Sequence, residues 1–260
     1  MSTMNLWIGV GGIALGTVLA AYAVAYRKQD AGIGDAAWSG GLALSALWLA
    51  LMADGNPAQR WALVLLTVPW GGRLAWFILR HRVMGHTEDA RYATLRERWG
   101  AQANRYFFGI FLMQGLLILL FSLPLWAVAS QPGNGLGLVG IAGLLLGWGA
   151  IAGEITADTQ LRRWRAQPEN QGQLLRSGLW RYSRHPNYFF EWLHWWAYVL
   201  LAWGDWRLFL ALLGPACMYV FLVHITGIPP AETRALARRG AAFEAYQRST
   251  NKFFPWPPRE

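Results

Sequence analysis

Charged residues and cysteine are scarce in this sequence. Only 14% of its 260 residues are charged, whereas a soluble domain carries about 25%. The single cysteine, Cys217, excludes an internal disulfide, and its apolar surroundings are typical of a buried, inert thiol. The chain lacks a His-Glu-x-x-His motif, a Cys/His cluster, a Gly-x-Ser-x-Gly elbow and a Walker loop. The sequence therefore does not predict a metal centre, a serine hydrolase or a nucleoside triphosphatase. Hydrophobic residues make up 55% of the chain and tryptophan occurs 17 times, which is typical of a membrane protein.

Long apolar stretches are abundant in place of charge. Seven of them are long enough, or nearly so, to cross a hydrocarbon core of about 30 Å. They cover residues 5–26, 36–53, 60–80, 107–129, 136–156, 187–203 and 206–227. The sequence therefore predicts an all-α, polytopic membrane protein with about seven transmembrane helices, folded as one integral membrane domain over residues 1–260.

The basic residues predict the orientation of these helices. Twenty of the 23 Lys and Arg residues fall in the connections that follow the first, third and fifth stretches and in the C-terminal tail. Basic loops stay in the cytoplasm, so we expect the N-terminus outside and the C-terminus inside. The net charge of +9 is then explained by topology and by binding to anionic lipid head groups, and nucleic acid is not an expected partner.

The segment "SGLWRYSRHPNYFFEWLHWW", residues 177–196, contains four polar or ionisable side chains at a membrane boundary: Arg184, His185, Asn187 and Glu191. Proline disfavours helical geometry in the preceding residue but is tolerated in a first turn, so a helix is expected to begin at Pro186. The N-terminus of a helix favours an anion. The alternative is a structural helix cap tethered by an Arg–Glu pair.

A second polar segment, "EITADTQLRRWRAQPEN", ends the fifth apolar stretch. Asp158, Arg162 and Arg165 share one face of a helix because they lie four and seven residues apart. Arginine presents a fork of donors to phosphate oxygens, which favours a phosphorylated ligand. The alternative is a helix end with intrahelical salt bridges.

The tail contains Glu232, Arg239 and Tyr246, which can fold back over the cytoplasmic ends of the helices. The alternative for this tail is an amphipathic helix lying on the bilayer. Polar residues also occur inside apolar stretches, where such groups are costly and often functional. Asp35 begins the second stretch, and the others are Arg73, Gln114, His194 and His224.

Three segments, "DTQLRRWRAQPEN", "GLWRYSRHPNYFFEWLHWW" and "YQRSTNKFFPWPP", resemble the steroid 5-alpha-reductase C-terminal family and are most similar to its bacterial DUF1295 branch. The isoprenylcysteine carboxyl methyltransferases are more distantly similar. The resemblance covers roughly residues 60–260. It implies a seven-helix reductase of the bacterial inner membrane, with a substrate side at residues 1–56 and a reductase-like core at residues 57–260. The core would bind NADPH in its cytoplasmic loops, with the nicotinamide inside the helix bundle.

The resemblance also implies roles for individual residues. Asp158, Arg162 and Arg165 are similar to the acid and bases that bind the cofactor in that family, and Asn187 and Glu191 to its residues near the nicotinamide. The remaining expected cofactor contacts are Asn170, Tyr182, Arg184, His185, Arg239 and Tyr246.

The sequence departs from the steroid reductases in its second and third stretches. A Gln-Glu pair is missing from the second stretch, and Trp70 aligns with the family's tyrosine in the third. We expect Arg73 or Tyr92 to donate to the substrate carbonyl and Asp35 to orient one of them. The predicted reaction is hydride transfer from NADPH to a C=C bond conjugated to a carbonyl, in a steroid- or isoprenoid-like substrate that enters from the bilayer. Two alternatives are a membrane methyltransferase that uses S-adenosylmethionine and a non-catalytic lipid-binding protein.

Overall fold

The computed structural model describes residues 1–85 and 87–259. Helices account for 79% of the chain, and the described ranges contain no strand, which confirms the all-α prediction. The α-helices are α1 (Thr3–Lys28), α2 (Ile33–Met52), α3 (Pro57–Ile78), α4 (Ala90–Trp99), α5 (Ala103–Ala129), α6 (Gly137–Arg165), α7 (Pro186–Leu201), α8 (Leu208–Ala211), α9 (Leu213–Val220), α10 (Ile228–Arg239) and α11 (Ala241–Ser249). Short π-helical segments, Leu79–Val83 and Phe221–Ile225, follow α3 and α9.

Six helical segments of the described chain are long and apolar enough to cross a membrane, as is typical of an integral membrane protein. They are Thr3–Lys28, Ile33–Met52, Pro57–His81, Arg91–Ala129, Gly137–Arg165 and Leu208–Arg239. The sixth predicted stretch, residues 187–203, corresponds to α7, which has 16 residues. A helix of this length spans about 24 Å, which is less than the hydrocarbon core of about 30 Å.

Two compact units make up the fold. The first consists of residues 1–140 and 201–213, and it contains α1 to α5 and α8. The second consists of residues 141–200 and 214–260, and it contains α10, α11 and most of α6, α7 and α9.

Helix α2 is the centre of the first unit, where it packs against α1, α3 and α5. Glycine permits the close approach of α2 and α3, because a Cβ atom on Gly71 would lie 2.6 Å from the carbonyl oxygen of Ser39. The ring of Trp38 meets the edges of Trp70 and Phe121 on the neighbouring helices. A core built from small residues and interlocking aromatic rings allows helices to pack closely within a membrane.

Local sequence sets the ends of these helices. The Ser2 side chain accepts the backbone N–H of Asn5 at the start of α1, and Asn56 accepts the N–H of Ala58 at the start of α3. Such caps satisfy amide groups that have no partner inside a helix. Arg27 and Lys28 lie in the last turn of α1, where they complement the negative end of the helix dipole.

The C-terminal segment of the second unit returns to the start of α7. The backbone N–H of Arg184 donates to the carbonyl of Asn251 at 2.9 Å, and that of Trp256 donates to the carbonyl of Tyr182 at 3.0 Å. Phe253 is buried beside Val223 and Ile228, with aromatic rings of α7 and α9 packed around it. The tail is therefore part of the folded core of this unit.

Candidate functional site

A polar cluster in the first unit is centred on Asp35, in the first turn of α2. The Tyr92 hydroxyl donates to its Oδ1 at 2.8 Å, and the Arg91 guanidinium donates to its Oδ2 at 2.9 Å. The Gln114 amide on α5 lies 3.5 Å from Oδ1. The Asp35 carboxylate therefore orients a phenol, whose single proton it accepts, and a guanidinium, whose remaining N–H groups can donate to a carbonyl oxygen.

Helix α4 brings Arg91 and Tyr92 to α2 because its own start is anchored. Asp89 caps α4 by accepting the backbone N–H of Arg91 at 2.9 Å. Glu88 accepts the backbone N–H of Ala31 at 2.8 Å and pairs with Arg96 at 2.7 Å. These contacts join the residues before α4 to the turn between α1 and α2.

The acidic groups at this turn influence one another. Burial raises the pKa of the Asp30 carboxyl, and the nearby Glu88 and Asp89 raise it further, whereas the N–H of Gly32 and the charge of Arg96 lower it. Asp30 accepts that N–H at 2.9 Å. The carboxyl therefore binds a proton more readily than an exposed aspartate does.

The predicted catalytic residues all lie in the first unit. The structure brings Asp35 and Tyr92 into direct contact, as the proposed orienting role requires. Arg73 lies on α3 and is half-buried. Sequence reasoning missed Arg91, which is hidden among the basic residues of its loop, and it left Gln114 without a role although an amide inside an apolar helix is a usable signal.

A second polar group, in the second unit, joins the end of α6 to the start of α7. The Asn187 amide donates from Nδ2 to Oδ1 of Asp158 at 3.1 Å. Its other amide atom, Oδ1, is buried and has no hydrogen-bond partner among the described residues. A buried acceptor without a partner is costly, so this atom is suited to a ligand that brings a donor.

Arg184 and His185 are held by Glu232 of α10. The Arg184 Nε donates to Glu232 Oε1 at 2.7 Å, and His185 Nε2 lies 3.1 Å from the same oxygen. Arg184 also donates to the backbone carbonyls of Gln247 and Thr250, and its side chain is only 8% exposed. Both predicted cofactor contacts are therefore engaged inside the protein, where they fix the turn before α7.

The charge state of His185 follows from this burial. Burial lowers the pKa of its imidazole, and the hydrogen bond and charge of Glu232 oppose that shift in part. A neutral imidazole that faces a carboxylate carries its proton on the facing nitrogen, so Nε2 is the donor.

Tyr246 also serves the internal structure of the second unit. Its hydroxyl donates to the carbonyl of Trp180, and the residue is 3% exposed. Burial raises the pKa of this phenol. The Trp180 indole donates to the carbonyl of Ala157 at 3.0 Å, and the N–H of Leu179 donates to the Gln160 amide at 3.0 Å. The segment before α7 is thus fixed to α6.

The other predicted cofactor contacts are more exposed than these groups. Arg162 and Arg165 are exposed at the end of α6, and Tyr182 is 41% exposed. The Arg239 Nε donates to the carbonyl of Gly172 at 3.0 Å, and Asn170 Nδ2 donates to the carbonyl of Trp164 at 3.1 Å. Because they are exposed, Arg162 and Arg165 can contact a phosphate group at the surface.

Glu191 lies one turn beyond Asn187 on α7. It is buried, and the Trp195 indole donates to its Oε1 at 3.4 Å. Sequence reasoning named Glu232 only as part of a tail that can fold back, and it missed Gln247, whose amide donates to Glu232 Oε2 at 2.8 Å. Their distance in sequence from residue 184 hides the contact, and the available signal was a carboxylate in a tail where basic residues outnumber acidic ones.

Comparison with known proteins gives one family. The family described as "Protein of unknown function (DUF1295)" matches residues 21–250. No curated protein and no solved structure matches the chain. Because the matched range covers most of the 260 residues, the chain belongs to the DUF1295 family.

Proposed function

We propose that this protein is a membrane-embedded, NADPH-dependent reductase that acts on a C=C bond conjugated to a carbonyl in a lipophilic substrate. The observation that supports it best is the buried Oδ1 of Asn187, which has no hydrogen-bond partner in the described chain and lies in the first turn of α7 beside Asp158. A carboxamide such as that of nicotinamide brings the N–H donor that this atom lacks.

The residues of the second unit fit such a cofactor in charge as well. Arg162 and Arg165 are exposed and offer donors for phosphate oxygens. The positive end of the α7 dipole favours an anion near the start of that helix. Asp158 holds Asn187 in one orientation by accepting from its Nδ2, so Oδ1 is the atom left for a ligand.

The bound cofactor supplies a hydride, and the chain's own residues supply orientation and a proton. In the first unit, Arg91 has N–H groups beyond the one that Asp35 accepts, and the Tyr92 hydroxyl donates to a carbonyl oxygen once it turns away from Asp35. A donor fixed before reaction stabilises the enolate oxygen that develops as the double bond is reduced. Tyr92 is 8% exposed, so little water competes with the substrate for its hydroxyl.

The proposal includes a topology. Seven spans, with α7 as the short sixth one, place the N-terminus outside and the basic connections in the cytoplasm, where NADPH is available. The basic excess of the three connections and the tail supports this orientation. A bacterial inner membrane is the proposed location.

Calorimetric titration of the purified protein in detergent tests the proposal. We expect saturable binding of NADPH and no binding of S-adenosylmethionine. The Asn187→Ala variant should bind NADPH at least tenfold more weakly, because it loses both the acceptor and the contact to Asp158. Asn5→Ala, an exposed asparagine of α1, is the matched control and should bind as the wild type does.

A separate measurement tests the proton donor. Tyr92→Phe should lower the rate of enone reduction while leaving the dissociation constant of NADPH unchanged. Tight binding of S-adenosylmethionine, or NADPH affinity that is unaffected in Asn187→Ala, would refute the proposed function.

A further inference from the structure

The first unit contains an apolar groove that the reductase proposal does not use. Its volume is about 430 Å³, within the range of roughly 300–1,000 Å³ that small-molecule sites occupy. Helix α2 forms the floor, and α1 and α3 form the walls. Thr17 is the only polar side chain among the lining residues, which include Ala21, Ile33, Ala36, Gly40, Gly72 and Leu79. The groove therefore suits a hydrocarbon chain and offers almost nothing to polarise a carbonyl group.

Two glycines in this groove are not explained by protein packing. A Cβ atom on Gly72 would meet no atom within 4 Å, and one on Gly40 would meet only the Cβ of Ala75, at 3.9 Å. The adjacent Gly71 and Gly41 differ, because a Cβ atom on either would lie 2.6 Å from a neighbouring helix. Glycine inside a helix is less favourable than alanine, because it loses more backbone entropy on folding. At Gly40 and Gly72 the absence of a side chain leaves open space in the groove, and it avoids no clash with a neighbouring helix.

The dimensions of the groove match one leaflet of a bilayer. Its lining on α2 runs from Ile33, at the start of the helix, to Leu44. Eleven helical steps cover about 16 Å. Half of the hydrocarbon core of a bilayer is about 15 Å thick. A single acyl chain inserted from one membrane surface therefore has the length of the groove.

Basic residues lie where α1 and α3 end, close in sequence to residues that line the groove. Lys28 lies seven residues after Ala21, on the same face of α1, and Arg80 directly follows Leu79. Both basic side chains are exposed and form no ion pair with any residue of the ranges 1–85 and 87–259. Among the carboxylates of the neighbouring turns, Asp35 pairs with Arg91 at 2.9 Å and Glu88 with Arg96 at 2.7 Å, whereas Asp30 accepts the backbone N–H of Gly32. The uncompensated charge at this end suits an anionic head group.

We propose that this groove binds one acyl chain of an anionic membrane phospholipid, with the lipid phosphate held by Lys28 and Arg80 at the end where α1 and α3 terminate. A free phosphate ion lacks the chain that fills the groove, and a zwitterionic lipid lacks the net charge that the basic pair favours. The site lies in the first unit and does not depend on the proposed reductase activity.

Native mass spectrometry of the full-length, delipidated protein tests this site. Dioleoylphosphatidylglycerol and dioleoylphosphatidylcholine are titrated separately, and the dissociation constant of the first bound lipid is measured. We expect the anionic lipid to bind at least tenfold more tightly, because each of two basic residues favours it. Replacing both basic residues, Lys28→Gln with Arg80→Gln, should remove this preference while one lipid still binds.

A second variant tests the groove itself. Gly72→Leu places a side chain in the open space without meeting protein atoms at its Cβ, and it should weaken binding of the anionic lipid at least tenfold. Gly109→Leu on α5 is the matched control, because Gly109 is also exposed and its Cβ would also meet no atom within 4 Å. The proposal is overturned if Gly72→Leu binds the lipid as the wild type does, if Gly109→Leu weakens binding equally, or if the wild type does not distinguish the two lipids.

Discussion

Replacing Glu232 with alanine should strongly destabilise the second unit. The substitution removes the carboxylate that accepts from Arg184 at 2.7 Å, from His185 at 3.1 Å and from Gln247 at 2.8 Å. Arg184 is only 8% exposed, so its charge would remain buried without a counter-ion. Breaking a buried ion pair in this way costs about 3–5 kcal/mol of unfolding free energy. Glu232→Gln keeps one acceptor for the guanidinium, and we expect a smaller loss of about 1.5–3 kcal/mol, that of a charge-assisted hydrogen bond.

Equilibrium unfolding in mixed detergent micelles, followed by tryptophan fluorescence, measures this loss. Asp54→Ala is the control, because Asp54 pairs with the N-terminal amine at a site where its side chain is 76% exposed. Water solvates both of those charges, so the control should unfold as the wild type does. An unfolding free energy of Glu232→Ala within about 1 kcal/mol of the wild type would show that the return of the tail does not depend on this carboxylate.

Two further predictions concern pH and helix packing. Burial lowers the pKa of His185 from its ordinary 6.5. The stability that the protein gains from a neutral imidazole is therefore present above pH 6.5 and is lost as the pH falls through the lowered pKa. The melting midpoint of the wild type should drop between pH 7 and pH 5, and that of His185→Gln should drop less. Gly71→Ala should destabilise the first unit by about 1–3 kcal/mol, because its Cβ would clash with the Ser39 carbonyl. Gly72→Ala, one residue on, meets no atom and should stabilise its helix by up to about 1 kcal/mol. Equal midpoints for the two alanine variants would contradict the packing of α2 against α3.

Much of the fold follows from local patterns in the sequence. Hydropathy predicts the membrane helices because a span needs about 20 apolar residues and any such run is visible locally. The α7 prediction shows the limit of this reasoning. Its apolar run is real, and Pro186 does begin a helix, but the helix ends at Leu201 after 16 residues. Where a helix ends depends on the turn that follows, which hydropathy does not report.

The candidate site was only partly predictable. Asn187 and Asp158 were both identified from the sequence, but their contact at 3.1 Å joins residues 29 positions apart. Arg184 and Glu232 are 48 positions apart, and the sequence does not indicate that the tail would bury this arginine. Pairing between distant segments depends on how the helices pack, so a motif names candidate side chains without showing which of them remain available to a ligand.

The sequence by itself determined that this is a membrane protein of the all-helical class, which family it resembles, and where polar groups interrupt its apolar runs. Those properties depend on composition and on spacing along one helix, which are local. Only the tertiary structure decided that Asp35 holds Arg91 and Tyr92, that Glu232 holds Arg184 and His185, and that the Oδ1 of Asn187 has no hydrogen-bond partner in the described chain. The physical reason is that burial and hydrogen bonding belong to pairs of atoms brought together from distant segments.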